Sequence, residues 1–143
     1  MARLVYYITR KTLEVQGGGV CFNMSATSGK GGCMNRVDCI SRAWAGPIPP
    51  GAYSLYSRDI SDPGSFGDRV RNMLGDWGDW RVPLLPAPGT PTFGRSGFFL
   101  HGGSTPGSAG CIDIGGGVSG DAATDRLLAV LKEANVSQLL VRK

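Results

Sequence analysis

One of the four cysteines of this chain lies close in sequence to its only histidine. His101 precedes Cys111 by ten positions, and Cys111 follows directly after Gly110. A thiol is a strong nucleophile only as the thiolate, and a neighbouring imidazole is the usual base that forms it near neutral pH. Cys111 is therefore a candidate nucleophile and His101 its candidate general base. The alternative is a buried structural cysteine and an unrelated surface histidine.

Both residues are expected on strands that meet at a glycine-rich loop. Residues 97–100 are predicted to form a buried strand that ends at His101. Apolar and other residues alternate along 111–114, which predicts a second strand that begins at the cysteine. Residues 102–110 are almost all turn-forming. Two neighbouring strand ends would bring the imidazole within hydrogen-bond reach of the thiol.

Residues around the pair are candidates for the other roles in acyl transfer. The backbone N–H groups of Gly110 and Cys111 are the expected oxyanion donors, because glycine lets a substrate approach the main chain. Ser108 is expected to bond the imidazole or the substrate, or else to be a turn residue. Asp113 is expected on the same side of the strand as the thiol. There it would orient His101, bind a substrate ammonium group, or simply be a strand-end carboxylate.

Substrate binding is expected from one arginine and from aromatic residues. The Arg95 guanidinium is a candidate for bidentate binding of a substrate carboxylate, and the alternative is a solvated loop arginine. Trp77, Trp80 and Tyr53 are candidates for lining a groove, although packing beneath the loops is the commoner role of such residues.

Composition predicts a globular protein and excludes some partners. At 143 residues, with 41% hydrophobic and 18% charged residues, the chain is expected to form a single domain over residues 1–143. The net charge of +4 is spread along the sequence, so nucleic-acid binding is not expected. The apolar run at residues 4–8 is too short for a membrane span or a signal-peptide core.

Periodicity predicts a mainly β, α+β fold with one main helix near the C-terminus. The helix is expected to begin after Asp121 and to end at Asn135. Residues 25–41 are predicted to form a long loop. Strands are predicted at residues 4–8, 12–15, 20–24, 52–57, 82–85 and 138–141.

Three cysteines remain if Cys111 is the nucleophile, so they form at most one internal disulfide. Cys33 and Cys39 are the best candidate pair, and free buried cysteines are the alternative. A zinc site with His101 as fourth ligand is less favoured, because the three upstream cysteines are spaced more widely than in the usual structural site. No metal and no cofactor are expected.

The pairing of His101-Gly102 with Ser108-Ala109-Gly110-Cys111 resembles the signature of L,D-transpeptidases. A closer resemblance is to the short effector branch delivered by type VI secretion systems, with further similar segments at residues 17–19, 25–29, 46–53 and 94–97. The resemblance implies the L,D-transpeptidase catalytic fold. The chain departs from ordinary L,D-transpeptidases in two ways: its His–Cys loop is shorter, and Asp113 replaces their usual arginine or asparagine.

The resemblance also implies an activity on bacterial peptidoglycan. Tetrapeptide stems would be attacked at the bond between the third residue, a diamino acid, and the terminal D-alanine, through a thioester on the cysteine. Hydrolysis, exchange for another D-amino acid and crosslinking are the three possible outcomes. Residue chemistry and the resemblance together predict Cys111, His101, Ser108 and Gly110 as catalytic residues, and Arg95, Gly102 and Asp113 as substrate-binding residues.

The same resemblance implies the biological setting. The chain would be secreted without a signal peptide by the type VI machinery, would act in the periplasm of the target bacterium, and would be neutralised by a cognate periplasmic immunity protein. Two other functions stay open. One is a papain-like peptidoglycan amidase, although those enzymes place cysteine before histidine. The other is a non-catalytic cell-wall-binding module.

Overall fold

The described part of the chain contains two β-sheets, one α-helix and three short 3-10 helices, which are Gly31–Cys33, Val37–Cys39 and Ser57–Asp59. A computed structural model describes residues 1–61, 80–103, 108–116 and 120–143. Strands predominate among them, so the predicted mainly β fold with a helix near the C-terminus is confirmed. Within these ranges, no helix is long and apolar enough to cross a membrane.

The larger sheet has six strands in the order β3-β2-β1-β10-β5-β7. Along β1 the side chains of Ala2, Leu4 and Tyr6 are buried, which is the period of two expected for a strand with one face on the core. The strands of this sheet are β1 (Ala2–Tyr7), β2 (Thr12–Gly17), β3 (Val20–Ser25), β5 (Gly51–Tyr56), β7 (Leu85–Pro86) and β10 (Val136–Arg142).

The smaller sheet has four strands in the order β4-β9-β8-β6. Its two central strands, β8 and β9, run parallel to each other, whereas the outer strands pair antiparallel to them. These strands are β4 (Thr27–Gly29), β6 (Arg81–Pro83), β8 (Phe99–Gly103) and β9 (Ser108–Gly116).

The second sheet corrects three predictions. The strand predicted at residues 97–100 lies at Phe99–Gly103, so His101 is inside the strand and not at its end. β4 lies within the predicted loop at residues 25–41. The strand predicted at residues 82–85 divides into β6 and β7, which belong to different sheets. The chain switches sheets at Leu84, whose N–H donates to the Phe98 carbonyl at 2.8 Å.

The helix α1 (Ala122–Ala134) begins and ends where the sequence predicts. Asp121 caps it by accepting the Thr124 N–H at 2.8 Å, and the Thr124 hydroxyl accepts the Asp121 N–H in return. Asn135 ends it with a positive φ of 60°. Leu127 and Leu131 of α1 join side chains from both sheets in one hydrophobic core, including Leu4, Leu13, Tyr53, Leu100, Ile112 and Leu139.

The segment between β4 and β5 is irregular and is closed by a disulfide. Cys33 and Cys39 form it, with their Cα atoms 5.7 Å apart, so the predicted pairing is confirmed. Two of the three upstream thiols are therefore not available for the zinc site considered from the sequence. Trp80 and Tyr53 are both buried to 1% exposure and pack in the core, whereas Trp77 lies outside the described residues.

Candidate active site

The parallel pairing of β8 and β9 places His101, Cys111 and Asp113 on one face of the sheet. Leu100 pairs with Ile112, and His101 pairs with Asp113. Because side chains alternate along a strand, Cys111 lies on the same face as Asp113, diagonally across from His101. The three side chains are buried, with exposed fractions of 2% for His101, 4% for Cys111 and 3% for Asp113.

A backbone carbonyl orients the imidazole. Nδ1 of His101 lies 2.5 Å from the carbonyl oxygen of Gly102. Since a carbonyl only accepts hydrogen bonds, Nδ1 carries the proton and Nε2 presents its lone pair. This tautomer is the one in which Nε2 acts as a base. Gly102 thus supplies the carbonyl that orients the imidazole, and its predicted role in substrate binding stays a prediction.

The Cys111 thiol lies beside a surface cleft of about 420 Å³. Its Sγ is 4.0 Å from the carbonyl oxygen of Gly97, which is one of the cleft residues. Of the eight described residues that line the cleft, six are small, and Trp44 and Arg95 are large. The lining consists of Ala43, Trp44, Gly94, Arg95, Ser96, Gly97, Ala109 and Gly110.

Gly110 is required by its conformation and its neighbours. Its φ is +71°, which disfavours any residue with a Cβ, and a Cβ there would lie 3.2 Å from both Arg95 Nη2 and Phe98 Cδ1. Its N–H donates to the Gly46 carbonyl at 2.9 Å. This N–H thus has an acceptor within the protein, and the oxyanion role of the Gly110 and Cys111 N–H groups stays a prediction.

Arg95 anchors the segment that precedes β5. Its Nη1 donates to the carbonyls of Ile40, at 2.5 Å, and Pro47, at 2.8 Å, while Nη2 donates to the Gly46 carbonyl at 2.8 Å. Three of the five N–H groups of an arginine are thus used within the protein. Substrate binding by Arg95 stays a prediction that would have to rest on the remaining donors.

The Arg95 charge also bears on the thiol. Burial lowers the pKa of Arg95, and the nearby Tyr53 and Cys111 act in the opposite direction. An arginine remains protonated in proteins all the same. A fixed positive charge near Cys111 favours the thiolate over the thiol.

The remaining predicted residues differ in how well the structure defines them. Asp113 lies between Thr27 of β4 and His101 of β8, and its Oδ1 accepts the Gly115 N–H at 2.8 Å. Its side chain is buried inside the sheet, and its predicted roles in orienting His101 or binding substrate stay predictions. Ser108 begins β9 opposite Gly29, and its side chain lies outside the described part of the chain.

Sequence reasoning missed Trp44 and the acceptor carbonyls. Trp44 is 89% exposed on the cleft, and no periodic pattern marks it. The signal available in the sequence was a tryptophan among small residues in a loop. An aromatic side chain in such a place is rarely needed for packing. Among the described residues, no group of three or more His, Cys, Asp and Glu side chains is arranged to hold a metal ion.

The family profile of the Tlde1 domain matches residues 23–139, which include both candidate catalytic residues and the cleft. The chain belongs to the Tlde1 domain family. This is a type VI effector family, so the resemblance drawn from the sequence is confirmed. No curated protein sequence matches the chain significantly.

Solved structures share the fold of this Tlde1 domain. The Bdellovibrio bacteriovorus protein Bd1075 matches with a TM-score of 0.58 at 16% identity, covering 97% of this chain and 46% of its own. An L,D-transpeptidase from Stackebrandtia nassauensis matches with a TM-score of 0.57 at 14% identity, and the match covers 99% of this chain and 55% of that protein. L,D-transpeptidase 1 of Mycobacterium tuberculosis matches with a TM-score of 0.51 at 17% identity, and the match covers 99% of this chain and 62% of that protein. The chain spans about half the length of these structures, and the L,D-transpeptidase-like fold is confirmed.

Proposed function

We propose that this Tlde1 domain is a cysteine enzyme that cleaves the L,D-bond of peptidoglycan tetrapeptide stems. One observation carries the proposal: His101 and Cys111 lie on one face of two central parallel strands, with the imidazole oriented by the Gly102 carbonyl. The family and the L,D-transpeptidase-like fold support the choice of substrate. The same fold disfavours the papain-like alternative.

In the first half of the reaction, Nε2 of His101 takes the proton of the Cys111 thiol. The thiolate attacks the carbonyl carbon of the third stem residue, and the Arg95 charge favours this ionised form. The tetrahedral intermediate collapses when the carbon–nitrogen bond to D-alanine breaks. The imidazolium returns its proton to the leaving amine, and a thioester to Cys111 remains.

In the second half, an acceptor releases the stem. Water, deprotonated by His101, attacks the thioester and gives a tripeptide stem and a free thiol. A D-amino acid supplies its amine in the same way and gives an exchanged stem. Small residues along the cleft leave room for a peptide backbone close to Cys111.

The setting of this reaction is part of the same proposal. As an effector, the protein would be carried by the type VI secretion machinery, act in the periplasm of the target and be bound there by a cognate immunity protein. The Cys33–Cys39 disulfide supports an oxidising compartment as the site of action, because disulfides rarely persist in the cytosol.

Digestion of purified peptidoglycan tests the activity. The reaction products are read as muropeptides by mass spectrometry, with and without added D-amino acids. We expect conversion of tetrapeptide to tripeptide stems, exchange when D-amino acids are present, and neither with the Cys111→Ala variant. Cleaved glycan strands, or released intact stems with the tetrapeptides preserved, would contradict the proposal.

A further inference from the structure

Trp44 has the exposure and backbone conformation of a binding residue. Its side chain is 89% exposed, so packing within the described structure does not account for it. Its φ is +65°, in the left-handed region that a bulky residue rarely adopts. Such conformations cost free energy, persist only where surrounding contacts enforce them, and cluster at functional sites.

The contacts that enforce this conformation are well defined. The Gly46 N–H donates to the Arg42 carbonyl at 2.9 Å, which closes the turn at residues 42–46 around Trp44. The Lys30 N–H donates to the Ala45 carbonyl at 2.8 Å. Arg95 holds the carbonyl of Gly46 from the other side. The indole is therefore presented to solvent by a turn that is fixed at both ends.

The indole also lies in the cleft beside the candidate nucleophile. Trp44 and Gly97 line the same cleft, and the Gly97 carbonyl is 4.0 Å from Cys111 Sγ. A spherical space of about 420 Å³ would be about 9 Å across, whereas three extended residues span about 10 Å. The sugar of a stem is separated from the attacked carbonyl by three residues. The part of the stem that reaches Trp44 is thus the part next to the bond that is broken.

We propose that Trp44 binds the side chain of the diamino acid at the third stem position, an inference that rests on the proposed function. Of the two residues that flank the attacked bond, D-alanine has only a methyl group, which leaves an indole largely uncovered. The diamino acid has a methylene chain that packs on the ring and an ammonium group that the face of a tryptophan attracts. Trp44 therefore selects stems by their third residue.

The test compares variants on paired substrates. The assays compare the wild-type protein with the Trp44→Ala and Trp44→Phe variants. The substrates are tetrapeptides that have either a diamino acid or alanine at the third position, each with and without the disaccharide. Phe93→Ala is the matched control, because Phe93 is 50% exposed with a φ of 57° but does not line the cleft. For diamino-acid stems, we expect Trp44→Ala to lower kcat/KM about tenfold, mainly through KM. Trp44→Phe should restore part of the loss.

The outcomes separate this inference from the proposed function. An equal loss on both kinds of stem would mean that Trp44 only supports the turn, and a loss confined to disaccharide substrates would make it a sugar site. Either result overturns the inference while wild-type activity upholds the function. If the wild-type protein cleaves nothing, stem binding to the Cys111→Ala protein, measured by calorimetry, still tests the inference about Trp44. Binding that prefers diamino-acid stems and depends on Trp44 supports the inference, and equal or absent binding overturns it.

Discussion

The central strands β8 and β9 and the irregular segment at residues 30–50 meet at the candidate active site but are held in different ways. The strands carry His101 and Cys111 on a hydrogen-bonded ladder whose register places them. The segment has little regular structure and is held by a disulfide and by the three hydrogen bonds of Arg95. The candidate catalytic groups thus lie on hydrogen-bonded strands, and the cleft wall lies on a segment that the disulfide and Arg95 hold in place.

This difference separates chemistry from binding. A change in a reactive side chain on the ladder removes a catalytic group but leaves the backbone hydrogen bonds in place. A change in a fastening contact moves the cleft wall and weakens the fold, while the nucleophile and base stay where they are. Variants of the two regions should therefore differ in which quantity they alter: kcat for the strands, and KM together with stability for the segment.

The largest effect is expected from Cys111→Ala. Loss of the nucleophile should lower kcat by about 10³-fold or more, since no thioester can form. The melting temperature should change little, because the side chain is small. Muropeptide analysis and circular dichroism measure the two quantities, with Cys21→Ala, an exposed free cysteine, as the control. Cleavage that persists in the Cys111→Ala variant would contradict the assignment of the catalytic groups to β8 and β9.

His101→Asn should be nearly as damaging. We expect kcat to fall by about 10²- to 10⁴-fold, the range for loss of a general base. In the wild-type protein, activity should rise with pH as the imidazole loses its proton. The residual activity of the variant should lack this rising part of the pH–activity profile. Full turnover with an unchanged pH profile in a folded His101→Asn protein would point to another base.

Arg95→Ala tests the difference between the central strands and the irregular segment at residues 30–50, because Arg95 connects the two. Each hydrogen bond from a charged group contributes about 1.5–3 kcal/mol, so loss of three should destabilise the protein by about 4 kcal/mol or more and raise KM more than it lowers kcat. Arg95→Lys should restore little, since an ammonium group cannot match the planar fork. Arg126→Ala, which removes an arginine stacked 4.2 Å from the Phe22 ring centroid, is the control. A raised KM without loss of melting temperature would favour substrate binding as the role of Arg95.

The smallest effect is expected from the disulfide. Replacing Cys33 and Cys39 by serine opens a short loop, so we expect a loss of no more than about 2–3 kcal/mol in the chain-entropy description. Because this loop continues into the turn that carries Trp44, KM should rise modestly with kcat unchanged. Thiol titration of the denatured, non-reduced wild-type protein should count Cys21 and Cys111 only. Four titratable thiols would contradict the bridge.

Local patterns in the sequence predicted much of the fold. Asp121 and Asn135 mark the ends of α1 because capping and helical periodicity involve neighbours a few residues apart. β4 was missed because three residues are too few to show alternation. The parallel pairing of β8 with β9 was not predicted either, because strand order depends on how whole sheets assemble.

The sequence by itself determined which groups are candidates for catalysis, a single histidine and a cysteine behind a glycine, and which family their spacing resembles. Only the tertiary structure decided how they are arranged and what surrounds them. Arg95 bonds carbonyls 48 to 55 positions away, and the Gly110 N–H meets Gly46. The imidazole is oriented by the backbone carbonyl of Gly102, a group that every residue possesses. The acceptor in each of these contacts is a main-chain carbonyl, which is the same at every position, so residue types do not predict which carbonyl is used.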